Sequence, residues 1–235
     1  MKKILITLCI LFMGLKCFAD VMEIETIGSM KTFWDRTGKY EQKILEVGTK
    51  LINDNKLDKR IAFQTIRTNN IINACATRAD KTVHVYYGII PYIDNDDELA
   101  YLLGHEMAHA IDAYGGFFKW IDMSLNGKAY EFKADLRGID IMVKAGYNPV
   151  AAICMINKWM PETYWDFGVL TTHPKTSRRM MEMYKYIYRK YPWALQTDMV
   201  HNINYENFTY SSQKEINLFL QREKEREFTQ GRGSI

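Results

Sequence analysis

Cysteine is scarce in this chain: four in 235 residues, with five prolines and fourteen glycines. So few cysteines exclude a disulfide-dense scaffold, and so few prolines and glycines exclude collagen-like or low-complexity architecture. Charge of one sign is also lacking, with 31 basic residues against 28 acidic ones. Three of the lysines (Lys2, Lys3 and Lys16) fall in the first nineteen residues, and without them the balance is 28 to 28. A chain this neutral has no overall attraction for nucleic acid or an anionic membrane. Beyond residue 19 no hydrophobic run reaches the length of a membrane span.

The first nineteen residues have the grammar of a secretory signal peptide. Met1-Lys2-Lys3 is positive, Ile4 to Leu15 is uncharged and mostly apolar, and Cys17-Phe18-Ala19 offers a cleavage site. Lys16 stands where a lipoprotein site wants a small residue, which disfavours lipid anchoring at Cys17. The expected protein is exported, periplasmic or envelope-associated. Cys75 and Cys154 then remain, with a disulfide permitted but no geometry set, and two small buried residues as the plainer reading.

Patterning predicts an α+β domain, strands first and helices after. A helical stripe of Ile44, Val47, Leu51 and Ile52 comes first. Strands are expected over Arg60 to Thr68, Ile71 to Ala76 and Thr82 to Tyr87, with a turn at Thr77 to Lys81. Asn95 with Glu98 forms a capping box for a helix stopping at Gly115-Gly116. Further helices should run from Asn126 to about Gly146, from Asn148-Pro149 to Trp159 and from Pro174 through Ile187. Pro161 to Thr172 should form a loop, and the chain beyond Pro192 should be irregular until Ser212 caps a short charged helix. The domain organisation expected is a signal peptide over 1–19, one folded domain over 20–210, and a charged helix with a frayed tail over 211–235.

Two of the five histidines fall in His105-Glu106-Met107-Ala108-His109. Positions i and i+4 share a helix face about 6 Å apart, so both imidazoles can reach one ion. Glu106 is rotated roughly 100° from His105, which sets its carboxylate beside the ion, where it can take a proton from water and return it to a leaving amine. Paired imidazoles suit zinc, and a catalytic zinc needs a third protein ligand and an open position. Glu131 is the best candidate. It shares a helix face with Asp135, and two carboxylates so stacked demand something positive. A metal on Glu131 would answer, with Asp135 accepting the outer N–H of a zinc histidine. The plain alternative is a solvated acidic pair. His84 and His201 have no evident metal partner, Tyr184, Tyr186, Tyr188 and Tyr191 read as a packing face, and Met180, Met181 and Met183 read as core filler.

Taken together, Asn73-Ala74-Cys75-Ala76, Gly88-Ile89-Ile90, Asp97-Glu98-Leu99, His105-Glu106-Met107-Ala108-His109, Glu131-Phe132-Lys133-Ala134-Asp135, Gly138, Ala145-Gly146-Tyr147-Asn148-Pro149 and Thr172-His173-Pro174 with Arg179 resemble one family. It is the HExxH gluzincin family of zinc metalloproteases that includes the CAAX prenyl protease, HtpX and the periplasmic protease BepA. The resemblance implies a zincin-like domain with an edge strand beside the active-site helix. It also implies one Zn2+ on His105, His109 and Glu131, and Glu106 as general base. His173 would be a catalytic residue at the cleft that stabilises the oxyanion or approaches the metal, and Asp135 and Arg179 would support the ligands. The Gly-rich segment frequent before the edge strand is replaced here by Thr77 to Lys81. The function expected is a zinc metalloendopeptidase acting on unfolded or misassembled envelope proteins, with no nucleic-acid partner. A chaperone-like factor with a latent zinc site is the alternative, and the intact Glu106 weighs against it. Thr82 to Tyr87 is expected to be the sheet edge that receives extended substrate.

Overall fold

In a computed structural model, the structure of this chain describes residues 39–57, 60–77, 80–112, 126–160 and 175–232. The expected signal peptide, the stop at Gly115-Gly116, the loop from Pro161 to Thr172, and His173 with Pro174 lie outside these residues. Helix α1 (Lys39–Asn55) buries Tyr40, Ile44, Val47, Gly48, Leu51 and Ile52, so the expected stripe is its core face. Three short strands follow: β1 (Ala62–Ile66), β2 (Ala74–Ala76) and β3 (Thr82–Tyr86). Helix α2 (Asp96–Asp112) crosses the core and packs most extensively against α3 (Gly127–Lys144). Helices α4 (Val150–Trp159), α5 (Thr176–Lys190), α6 (Ile203–Ser211) and α7 (Gln213–Arg232) complete a mostly helical second half. The mixed α+β class is as expected.

The sheet order corrects one expectation. The strands lie β1-β3-β2, with β3 parallel to β1 and antiparallel to β2, so β3 is the central strand and not the edge. The alternation of Val83, His84 and Val85 imitates a one-sided strand. Yet Tyr86, on the polar side of that alternation, is buried, and His84 is half-buried. The turn fixes the antiparallel pairing: Asp80 accepts from the Thr82 backbone N–H at 3.0 Å, and Lys81 takes a positive φ of 57°. Among the described residues β2, carrying Ala74-Cys75-Ala76, is the edge that lies against α2.

Caps follow the sequence closely. Asn95 accepts from the Glu98 N–H at 2.9 Å, while Glu98 reaches back to the N–H of Asp94 at 2.8 Å, one residue earlier than a capping box requires. Glu98 is fully buried, and Lys158 of α4 meets it at 2.7 Å. Asn148 accepts from the Val150 N–H at 3.0 Å, starting α4 as expected. Gly146, at φ +84°, closes α3 in a conformation that favours glycine.

The stretch after Pro192 is more regular than expected. It holds two 3₁₀ turns (Pro192–Gln196 and Asp198–His201) and α6, while α7 runs twenty residues instead of a short helix. Tyr205 and Phe208 anchor α6 in the core, and Phe208 meets Tyr184 at 5.9 Å. The tyrosines of α5 therefore serve packing, and Met180, Met181 and Met183 are buried. Both described cysteines are free; burial pushes the Cys154 thiol up to about 12. No helix among the described residues is long and apolar enough to cross a membrane.

Candidate metal centre

The stretch Leu99 to Leu103, buried at every position, makes α2 a core helix before the histidine motif begins. What lets α3 approach it is a pair of glycines. A Cβ on Gly104 would stand 3.0 Å from the Gly138 carbonyl, and one on Gly138 would stand 2.9 Å from the His105 backbone nitrogen. At that crossing the backbones almost touch, so side chains one and two turns away on α3 reach those of α2.

His105, His109 and Glu131 are brought together there, each offering one ligand atom within 4.8 Å of the others. The two Nε2 atoms are 3.2 Å apart, and Glu131 lies 3.1 Å from His109 Nε2 and 3.7 Å from His105 Nε2. Two zinc–nitrogen bonds of 2.0–2.1 Å at a tetrahedral angle separate their nitrogens by about 3.3 Å, so this donor set fits a zinc ion. The side chains of His109 and Glu131 keep 17% and 12% exposure against 8% for His105, which leaves the approach on their side.

Asp135 stands behind His105, its Oδ1 2.9 Å from Nδ1. A proton on Nδ1 would face that carboxylate and leave the Nε2 lone pair for the side of Glu131. The positive group that the stacked carboxylates demand is Arg179 of α5. Its Nε and Nη2 donate to the two oxygens of Asp135 at 2.8 and 2.6 Å, and its Nη1 lies 3.6 Å from Glu131. Burial alone would raise the Asp135 carboxyl, but the Arg179 guanidinium and the His105 contact hold it below the usual range. Asp135 and Arg179 are 1% and 2% exposed, so the pair is sealed from water and forms the rigid back wall of the site.

Glu106 is buried beside the histidines, and loss of water raises its carboxyl pKa, against the opposing pull of His105 and His109. A carboxylate so placed is a better proton acceptor than a solvated one. The structure thus assembles His105, Glu106, His109, Glu131, Asp135 and Arg179 in one place. His173 lies outside the described residues.

Sequence reasoning missed Tyr101. It sits one turn before His105, is 1% exposed, and donates its hydroxyl to Asp135 Oδ1 at 2.8 Å. Burial, with Asp135 adding to it, keeps the phenol protonated well above its ordinary range. The available signal was its i−4 spacing from His105 on a helix already read as bearing ligands. A separate cavity of about 890 Å³ lies between the starts of α1 and α2, bounded by Tyr40, Tyr87, Ile90 and Leu99. None of the metal-site side chains lines it.

No curated protein matches this chain. A family model does, and its span covers the sheet, His105, Glu106 and His109 but stops before Glu131, which the geometry brings to the two histidines. Residues 38–113 match the model of peptidase family M48, so that segment is similar to the metalloprotease family its motifs resemble.

Proposed function

We propose that this protein is a zinc-dependent endopeptidase, exported to the cell envelope, that cleaves extended segments of unfolded or misassembled proteins. The observation that carries the reading is the convergence of His105, His109 and Glu131 within 4.8 Å beside the buried carboxyl of Glu106. Those three residues would hold one zinc ion, with Asp135 orienting His105. When bound, zinc supplies Lewis-acid polarisation of the scissile carbonyl and makes water acidic near neutral pH. Glu106 takes the proton of the attacking water on its carboxylate and gives it to the departing peptide nitrogen. Arg179 keeps positive charge behind Glu131 and Asp135. The family resemblance implies that His173 either stabilises the developing oxyanion or approaches the metal.

The edge strand β2 supports a preference for extended chains. Tyr86 donates to the Asn73 carbonyl and Thr77 donates to the Thr82 carbonyl, so the odd-numbered residues of this edge pair inward with β3. Ala74 and Ala76 therefore turn their backbone groups outward, where a peptide can pair along the strand. Such recognition reads main chain and tolerates varied side chains. The signal-like N-terminus supports envelope location.

The test is metal analysis together with digestion of an unfolded model protein, comparing the parent chain with Glu106→Gln. One zinc per chain in both, with cleavage slowed at least about a hundredfold in the variant, is the expected result. Equal cleavage would place the activity elsewhere. Zinc without cleavage in the parent would favour a latent site in a chaperone-like factor.

A further inference from the structure

Every side chain of α2 between Leu99 and Leu103 is apolar except that of Tyr101, and all are buried. A phenylalanine would fill the same volume without burying a hydroxyl, which costs free energy unless the hydroxyl is paired. Its partner is the oxygen of Asp135 that faces His105. Asp135 Oδ1 receives Tyr101 at 2.8 Å and Arg179 Nη2 at 2.6 Å, and stands 2.9 Å from His105 Nδ1. Tyr101 and His105 occupy successive turns of one helix, so Oδ1 is gripped at two points by the element that carries both histidines. Arg179 approaches from another helix and fixes the plane of the carboxylate. Tyr101 fixes where that carboxylate sits along α2.

We propose that the Tyr101 hydroxyl is a positioning group for the metal ligand His105, acting through Asp135. Without it the carboxylate is held by Arg179 and by the imidazole it orients, so it is free to shift along the arginine fork and the imidazole shifts with it. The proposal rests on the zinc reading above and assigns Tyr101 no contact with substrate or metal.

The experiment titrates the metal-free protein with zinc against a competing chelator, for the parent chain, Tyr101→Phe and Tyr186→Phe. Tyr186 of α5 donates to Asp140 of α3 at 2.8 Å, so its variant removes a hydroxyl bonded to another α3 carboxylate, away from the ligands. Phenylalanine keeps the ring packing, and circular dichroism checks that both variants fold. The expected result is a zinc dissociation constant raised about tenfold in Tyr101→Phe and unchanged in Tyr186→Phe. The visible absorption of the cobalt-substituted protein should change only in Tyr101→Phe. An unchanged constant in Tyr101→Phe, or equal weakening in both variants, overturns the proposal. Absence of zinc binding by the parent chain, or its persistence in the His105→Ala/His109→Ala double variant, overturns the zinc reading itself.

Discussion

His109 and Glu106 are three residues apart on one helix, and the proposed function divides the labour of the site between them, one holding and one reacting. His109 Nε2 faces Glu131 at 3.1 Å and belongs to the donor set, whereas Glu106 is buried beside it. Replacing His109 by alanine should therefore remove most of the metal, read by metal analysis of the purified variant, and abolish cleavage as a consequence. Glu106→Gln should behave differently, retaining zinc while losing cleavage, because an amide cannot accept the proton of water. The contrast between the two, one losing metal and one keeping it, separates a ligand from a base more firmly than activity alone.

At the scale of elements, the site depends on how closely α2 and α3 approach and on which strand is exposed. A methyl group at Gly138 would meet the His105 backbone, which has no rotamer to yield. Gly138→Ala should thus push the helices apart. We expect a loss of about 1–3 kcal/mol in a denaturant titration, together with weaker zinc binding, since Glu131 and the histidines sit on opposite sides of the crossing. The edge strand gives a kinetic test. Ala76 pairs with Val83 at a position whose N–H turns outward, so Ala76→Pro should spare the ladder to β3. The expected outcome is a several-fold rise in KM for an unfolded substrate with zinc content unchanged. An unaltered KM would mean that substrate does not pair along β2.

For the whole molecule, the metal should act as a staple between the two helices that organise the core. Nothing in the unfolded chain preassembles His105, His109 and Glu131, so zinc should bind the native state preferentially and stabilise it by mass action. At a free concentration a hundred times the dissociation constant this amounts to about 2.7 kcal/mol. In a chain of this size that corresponds to roughly 5–10 °C in Tm. Scanning calorimetry before and after chelation should show this drop and its reversal on adding zinc, whereas the double histidine variant should show neither.

The helices and their boundaries were written in local residues: the buried stripe of α1, the Asn95 and Asn148 caps, and Gly146 at the end of α3. So was the pairing of the two histidines, because a spacing of four puts side chains on one face whatever the rest of the chain does. Glu131 and Asp135 could be singled out from their own helix, since their stacking asks for a positive partner, and Arg179 could be added by family resemblance. The tertiary structure decided what crosses between elements. It supplied the closeness of α2 to α3 through Gly104 and Gly138, and the hydroxyl of Tyr101 on Asp135. It also decided the strand order, in which β3 is central and β2 is the edge. Alternation shows which faces of a strand are apolar but not which neighbours flank it, and α6 was overlooked because its helical face is defined by contact with α4 and α5. Periodicity is a property of one segment; pairing and packing are properties of two, and their free energy exists only once the chain has closed on itself.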